Sequence, residues 1–150
     1  MNLHELQMLA EVLRSRSGSS VQMRVETEFP QQRLVGGKYQ MGSHTVTLYL
    51  SSLEEQCRRL FGSLENLPAL AAVVCAHELG HAEDPELAEL SDRMDSASDV
   101  RIRLALALQI EKNAWAFARM LVPEVDPQLM EAMIDESLYM YRENLRQQTA

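Results

Sequence analysis

The chain has 150 residues, of which 46% are hydrophobic and 24% charged, with a net charge of −8. That length suits a single domain (1–150) with a substantial core. The acidity argues against direct nucleic-acid binding, which needs cationic surface to displace counterions, and no apolar run approaches the roughly 18 residues of a membrane span.

In chain order, Asn2 caps a first helix to about Ser15, with Leu3, Leu6, Ala10 and Leu13 on one stripe. Val21, Met23, Val25, Thr27 and Phe29 then alternate with polar residues, predicting a half-buried strand that Pro30 ends. Gly36-Gly37 and Gly42-Ser43 are turn signals. Around them, Tyr39–Met41 and His44–Leu50 read as a hairpin with Val46, Leu48 and Leu50 on the core face. Ser51 or Ser52 is suited to cap a short helix to about Phe61, stopped by Gly62. Asn66 and Pro68 open a helix over about Leu67–Ala82, and Asp84-Pro85 closes it. A short helix follows, with Leu87, Leu90 and Met94 inward. A long helix runs from Ser96 or Ser98 through about Asp99–Val122, and Pro123 stops it. Asp126-Pro127 starts the last helix. The pattern predicts an α+β fold: a small antiparallel sheet of about three strands on a mainly helical core.

Ala76-His77-Glu78-Leu79-Gly80-His81 matches HExxH within the third helix-forming segment. On a helix the two histidines lie about 40° apart in projection, so their rings converge on one metal ion. Glu78 is offset by about 100°, poorly placed as a ligand and well placed to take a proton from a water molecule. Small residues at Ala69, Ala72, Ala76 and Gly80 form a second line. Because Gly80 in a helix interior costs about 1 kcal/mol relative to alanine, a packing reason is expected for it.

A third ligand must come from elsewhere. The long helix has an apolar stripe of Leu104, Ala107, Leu108, Ala114, Ala118 and Leu121, interrupted by Glu111. A carboxylate there needs a cation. A metal on His77 and His81 is one; Arg33, Arg58 or Arg59 is the alternative. The remaining histidines are few. His4 reads as surface, and His44, at the hairpin strand, is a possible transition-state donor. Leu87 stands where a three-histidine site would place its third. Zinc suits two histidines and a carboxylate; Mn(II) and Fe(II) do as well. Thr45, Val46, Thr47, Leu48 and Tyr49 read as an edge strand that binds substrate by strand addition. Tyr39, Tyr49, Tyr139 and Tyr141 are candidate oxyanion donors that spacing does not rank. Cys75 reads as a buried hydrophobe aimed away from His77. With no CxxC and no signal-peptide pattern, a reducing, cytoplasmic setting is expected.

The segment Glu111-Lys112-Asn113-Ala114-Trp115-Ala116-Phe117-Ala118-Arg119-Met120-Leu121-Val122-Pro123 follows the form E-x-x-A-x-x-F-A-x-x-L-x-P. With HELGH upstream, the stretch from about Val35 to Pro123 resembles the ImmA/IrrE family of metallopeptidases. The resemblance implies a zincin-like fold, His77, His81 and Glu111 as metal ligands, and Glu78 as catalytic base. It also implies a protein substrate such as a helix-turn-helix transcription repressor. Two other readings accompany it. One is a peptidase-like binding module that grips a regulatory partner without cutting it. The other is a protease of DNA–protein crosslinks, which predicts a basic surface and a CxxC zinc ribbon that this chain lacks. The acidic run from Glu83 to Asp99 is a solvated face or a surface for a basic partner.

Overall fold

A computed structural model of the chain describes residues 1–31 and 35–149. Among these residues there are six helices and a three-stranded sheet: α1 (Leu3–Ser17), β1 (Gln22–Glu26), β2 (Gly37–Gln40), β3 (Thr45–Tyr49), α2 (Leu50–Phe61), α3 (Leu67–Ala82), α4 (Leu87–Ser96), α5 (Val100–Leu121) and α6 (Pro127–Thr149). The fold is α+β, as the sequence pattern predicts.

The helix ends follow local chemistry. Asn2 accepts a hydrogen bond from the Glu5 amide at 2.9 Å, and Asp99 accepts one from the Arg101 amide at 2.8 Å. Each satisfies a donor that a helix start leaves orphaned. Gly62 ends α2 at φ 78°, its amide donating to the Arg58 carbonyl. The expected cap at Ser51 or Ser52 does not form. Here β3 passes into α2 with no linker, Tyr49 is the N-cap, and Ser52 is buried inside the first turn.

The sheet departs from expectation in three ways, all with one cause. Its order is β1-β3-β2, so β3 is the central strand. It pairs antiparallel with β2, as a hairpin should, but parallel with β1. The sheet is therefore mixed, not antiparallel. The reading of Thr45–Tyr49 as a substrate-binding edge strand is overturned, because both of its backbone edges are already paired. All five residues are buried. Finally, β1 stops at Glu26, whose partner Tyr49 is the last residue of β3. Beyond it the neighbouring chain has turned into α2, so Thr27 and Phe29 have no strand to join. The Thr27 carbonyl instead accepts from the Ser51 amide at 2.8 Å.

The core lies between the inner face of the sheet and α3, enclosed by α1, α2, α5 and α6. Val46, Leu48, Leu53, Leu70, Val73 and Leu79 are fully buried in it. Helix α3 runs through the middle, apolar on nearly every side. Its closest neighbour is α5. A Cβ on Gly80 would stand 2.6 Å from the Ala114 carbonyl oxygen and 2.9 Å from its Cα. Backbone meets backbone there, which is the packing reason the sequence calls for at Gly80.

Candidate metal centre

That crossing sets up the site. Glu111 is three residues before Ala114 on α5; His77 is three residues before Gly80 on α3. Both face the same gap. His77 Nε2 and Glu111 Oε2 are 2.7 Å apart, and His81 Nε2 and Glu111 Oε1 are 3.5 Å apart. Glu78 Oε1 lies 3.3 Å from His77 Nδ1. The four side chains are only 10–15% exposed. His77, Glu78 and His81 bring one ligand atom each within 4.8 Å of one another, forming a possible metal-binding group.

The charge balance of this cluster fits a bound cation. Among the described residues, the ion-pair partners of Glu78 and Glu111 are the histidines. Arg59, one alternative partner for Glu111, pairs with Glu136 on α6 at 2.6 Å. Arg58 is exposed, and Arg33 lies outside the described residues. Two mostly buried carboxylates thus face two imidazoles, a donor set that a divalent ion would neutralise. Without an ion a proton takes that role. Burial works against charging His77, but the hydrogen bonds it donates to Glu111 and Glu78 outweigh it and push its pKa up to about 9. Burial likewise favours neutral Glu111, yet the hydrogen bonds to His77 and His81 hold its carboxyl far below the usual range.

The sign of the resulting pH dependence is fixed. A raised histidine pKa contributes stability that is complete below its unfolded value near 6.5 and is lost as pH rises through about 9. A depressed carboxyl pKa contributes stability above its unfolded value and loses it as pH falls. Metal-free protein, kept in chelator, should therefore be most stable at about pH 5–6.5. It should lose on the order of 2–3 kcal/mol by about pH 9. Urea unfolding at a series of pH values measures this; a flat alkaline limb would contradict the His77–Glu111 pairing.

Neighbouring residues fix the geometry. The Trp115 ring stacks on His77 with centroids 4.3 Å apart and planes at 29°. Its Nε1–H donates to Ser137 Oγ on α6 at 3.0 Å. Tyr141, also on α6, lines the same cavity as Glu111; burial, first, and then that carboxylate raise the pKa of its hydroxyl. The sequence reading does not select Trp115, Ser137 or Tyr141. Trp115 is one helical turn after Glu111, so the i, i+4 rule points to it. The other two depend on where α6 crosses.

His44 is not brought to the cluster. It sits in the β2–β3 turn at φ 49°, with Nδ1 2.8 Å from the Tyr39 hydroxyl and Nε2 3.3 Å from Ser20 Oγ. Cys75 is fully buried, and burial pushes its thiol pKa well up.

Among the described residues, the free edge beside the cluster belongs to β2. The Tyr49 amide donates to the Gly36 carbonyl at 2.9 Å. In an antiparallel ladder the bonded pairs alternate, so Gly37 and Tyr39 turn their amides and carbonyls away from β3. Gly37 also packs tightly on the site: a Cβ there would stand 3.1 Å from Glu78 Cγ. A cavity of about 370 Å3 lies on one side of His77 and Glu78, and another of about 340 Å3 on the other.

Comparison with protein-family models, curated proteins and solved structures found no match to this chain. Among the described residues, no helix is long and apolar enough to cross a membrane.

Proposed function

We propose that the chain is a metal-dependent endopeptidase of the kind its ImmA/IrrE-like motifs suggest, acting in the cytoplasm. The observation that carries this reading is the convergence of His77, His81 and Glu111, from two helices, on Glu78 beside the free edge of β2. His77, His81 and Glu111 would hold the ion, with zinc the best fit to the donor set and Mn(II) or Fe(II) also suited. When bound, a divalent ion supplies Lewis acidity, polarising a carbonyl and making water acidic near neutral pH.

The chain's own residues do the rest. Glu78 takes a proton from the attacking water and passes it to the leaving amine nitrogen. Trp115 holds the His77 ring by stacking on it, and Tyr141 faces Glu111 across the cavity. The outward amides and carbonyls of Gly37 and Tyr39 hold an extended substrate backbone. Gly37 has no side chain to keep that backbone away from Glu78.

The proposed substrate is a helix-turn-helix repressor encoded beside this gene. Protein purified without chelator should contain about one equivalent of metal per chain. Mixed with that repressor, it should give discrete fragments that disappear with chelator and return with zinc. Binding without fragments would favour a non-catalytic partner-binding module. Failure to load any divalent metal would refute the peptidase reading.

A further inference from the structure

We infer that the groove is built for one class of substrate: an extended segment with large apolar residues at positions i and i+2, cut between them, and basic residues upstream. This inference rests on the peptidase reading and adds what the groove selects.

Direction comes first. Along β2, Val35 and Gly36 line the first cavity, while Tyr39 and Met41 line the second; Gly37, His77 and Glu78 line both. Walking from Val35 to Met41 thus leads from the first cavity, past Glu78, to the second. Antiparallel pairing is slightly the more stable per residue. A strand added to β2 that way has its N-terminal half at the second cavity and its C-terminal half at the first.

Spacing comes next. In an extended strand, residues i and i+2 point the same way and stand about 7 Å apart. Two successive floor-facing side chains therefore fall on opposite sides of Glu78, one for each cavity. The scissile bond is one of the two between them.

The walls then set the chemistry. Val74, Trp115 and Met133 give the first cavity an apolar wall, with Gln56, Glu136 and Ser137 as polar neighbours. Met41, Leu87 and Ile110 do the same for the second. At roughly 350 Å3 each they are at the small end for ligand pockets, the size for one large side chain. Charge extends the pattern upstream. Beyond the second cavity lie Glu83, close enough to raise the Tyr39 hydroxyl's pKa after burial, and Asp84 and Glu86, both bonded by the Asn113 amide at 3.2 Å. Lys38, the lysine in the lining of the second cavity, directs its ammonium to the Phe29 ring, 5.7 Å away. At the first cavity, Arg59 is engaged by Glu136. The upstream end of a bound segment therefore meets carboxylates, which favour lysine and arginine.

A panel of unstructured peptides tests this on the zinc-loaded protein, with cut sites read by mass spectrometry. The parent peptide carries Lys-Arg followed by Leu-Ala-Phe. Its variants place Asp or Gly at either apolar position, or Glu-Glu upstream. The parent should be cut at least about ten-fold faster than each, at a bond between Leu and Phe. The Gln56→Trp protein, whose first cavity is narrowed at a half-buried position away from the ligands, should lose the preference for Phe over Ala downstream and keep the upstream preference. Equal rates across the panel, an acidic upstream preference, or a Gln56→Trp effect on the upstream side would overturn the inference. If no peptide is cut, fluorescence anisotropy of the same labelled peptides decides. The same ranking in binding supports the groove and rejects catalysis alone; uniform binding rejects the groove.

Discussion

Glu78→Gln should keep the fold and the metal but slow peptide hydrolysis by about 10²–10⁴-fold, the range for loss of a general base. The amide has nearly the volume of the carboxylate, so the tight fit against Gly37 survives. What it lacks is the capacity to accept a proton. The result also separates two roles that geometry alone leaves adjacent. Glu78 lies within 4.8 Å of both histidine ligand atoms, so it is near enough to share an ion. A ligand and a base fail differently on mutation. If Glu78 were the third ligand, Glu78→Gln would reduce metal content, and Glu111→Gln would leave it unchanged. The proposed roles require the opposite pattern. Metal-to-protein ratios for the two variants, measured beside their turnover rates, distinguish the assignments. A Glu78→Gln protein that retains metal and cleaves at the wild-type rate would sink the base assignment.

Gly80→Ala should be destabilising although alanine is the better helix former. Propensity favours the change by about 1 kcal/mol. Against it, the new methyl would stand 2.6 Å from the Ala114 carbonyl oxygen and 2.9 Å from its Cα. These are backbone atoms, so no rotamer change relieves the contact; α3 and α5 must separate. Overpacking of this kind costs about 1–3 kcal/mol, or more where backbone must move. The net loss should lower the melting temperature by a few degrees, at about 2–4 °C per kcal/mol for this chain length. Function should suffer more than stability. Glu111 is on the moving helix and the histidines are on the other, so separation pulls the ligand set apart. Metal affinity should fall even where the protein is fully folded. An unchanged affinity would mean that the Gly80–Ala114 contact does not set the ligand spacing.

The site was more legible in the sequence than the sheet. Helix α3 spans Leu67–Ala82, the range its local signals predict, with Pro68 in the first turn, although Asn66 makes no side-chain capping bond. Glu111 stands out because a carboxylate on an apolar stripe has to be matched. Both inferences use local spacing on single helices, where the 3.6-residue period leaves little freedom. Strand order has no such local signal. Thr45–Tyr49 alternates threonine with valine and leucine, which reads as half-buried. In the fold the polar side is covered too: Phe29 packs edge-on against Tyr49 with centroids 5.0 Å apart, and the Thr45 hydroxyl donates to the Ser43 carbonyl. Alternation cannot distinguish water from a covering segment. Nor does it reveal the parallel pairing of β1 with β3 across more than 20 residues. Tyr141 was hidden for a related reason. Four tyrosines are equivalent in the sequence until the crossing of α6 over α5 brings one of them to Glu111.

Trp115 is the chain's one tryptophan, and its ring rests on His77. Every change at the centre therefore occurs against the protein's dominant fluorophore. A protonated imidazole in contact with an excited indole quenches it by electron transfer; an imidazole with its charge withdrawn to another partner does so less. Emission intensity thus carries the state of His77 without any added label. The stack that holds the ring in place also makes the protein an optical reporter of its own centre.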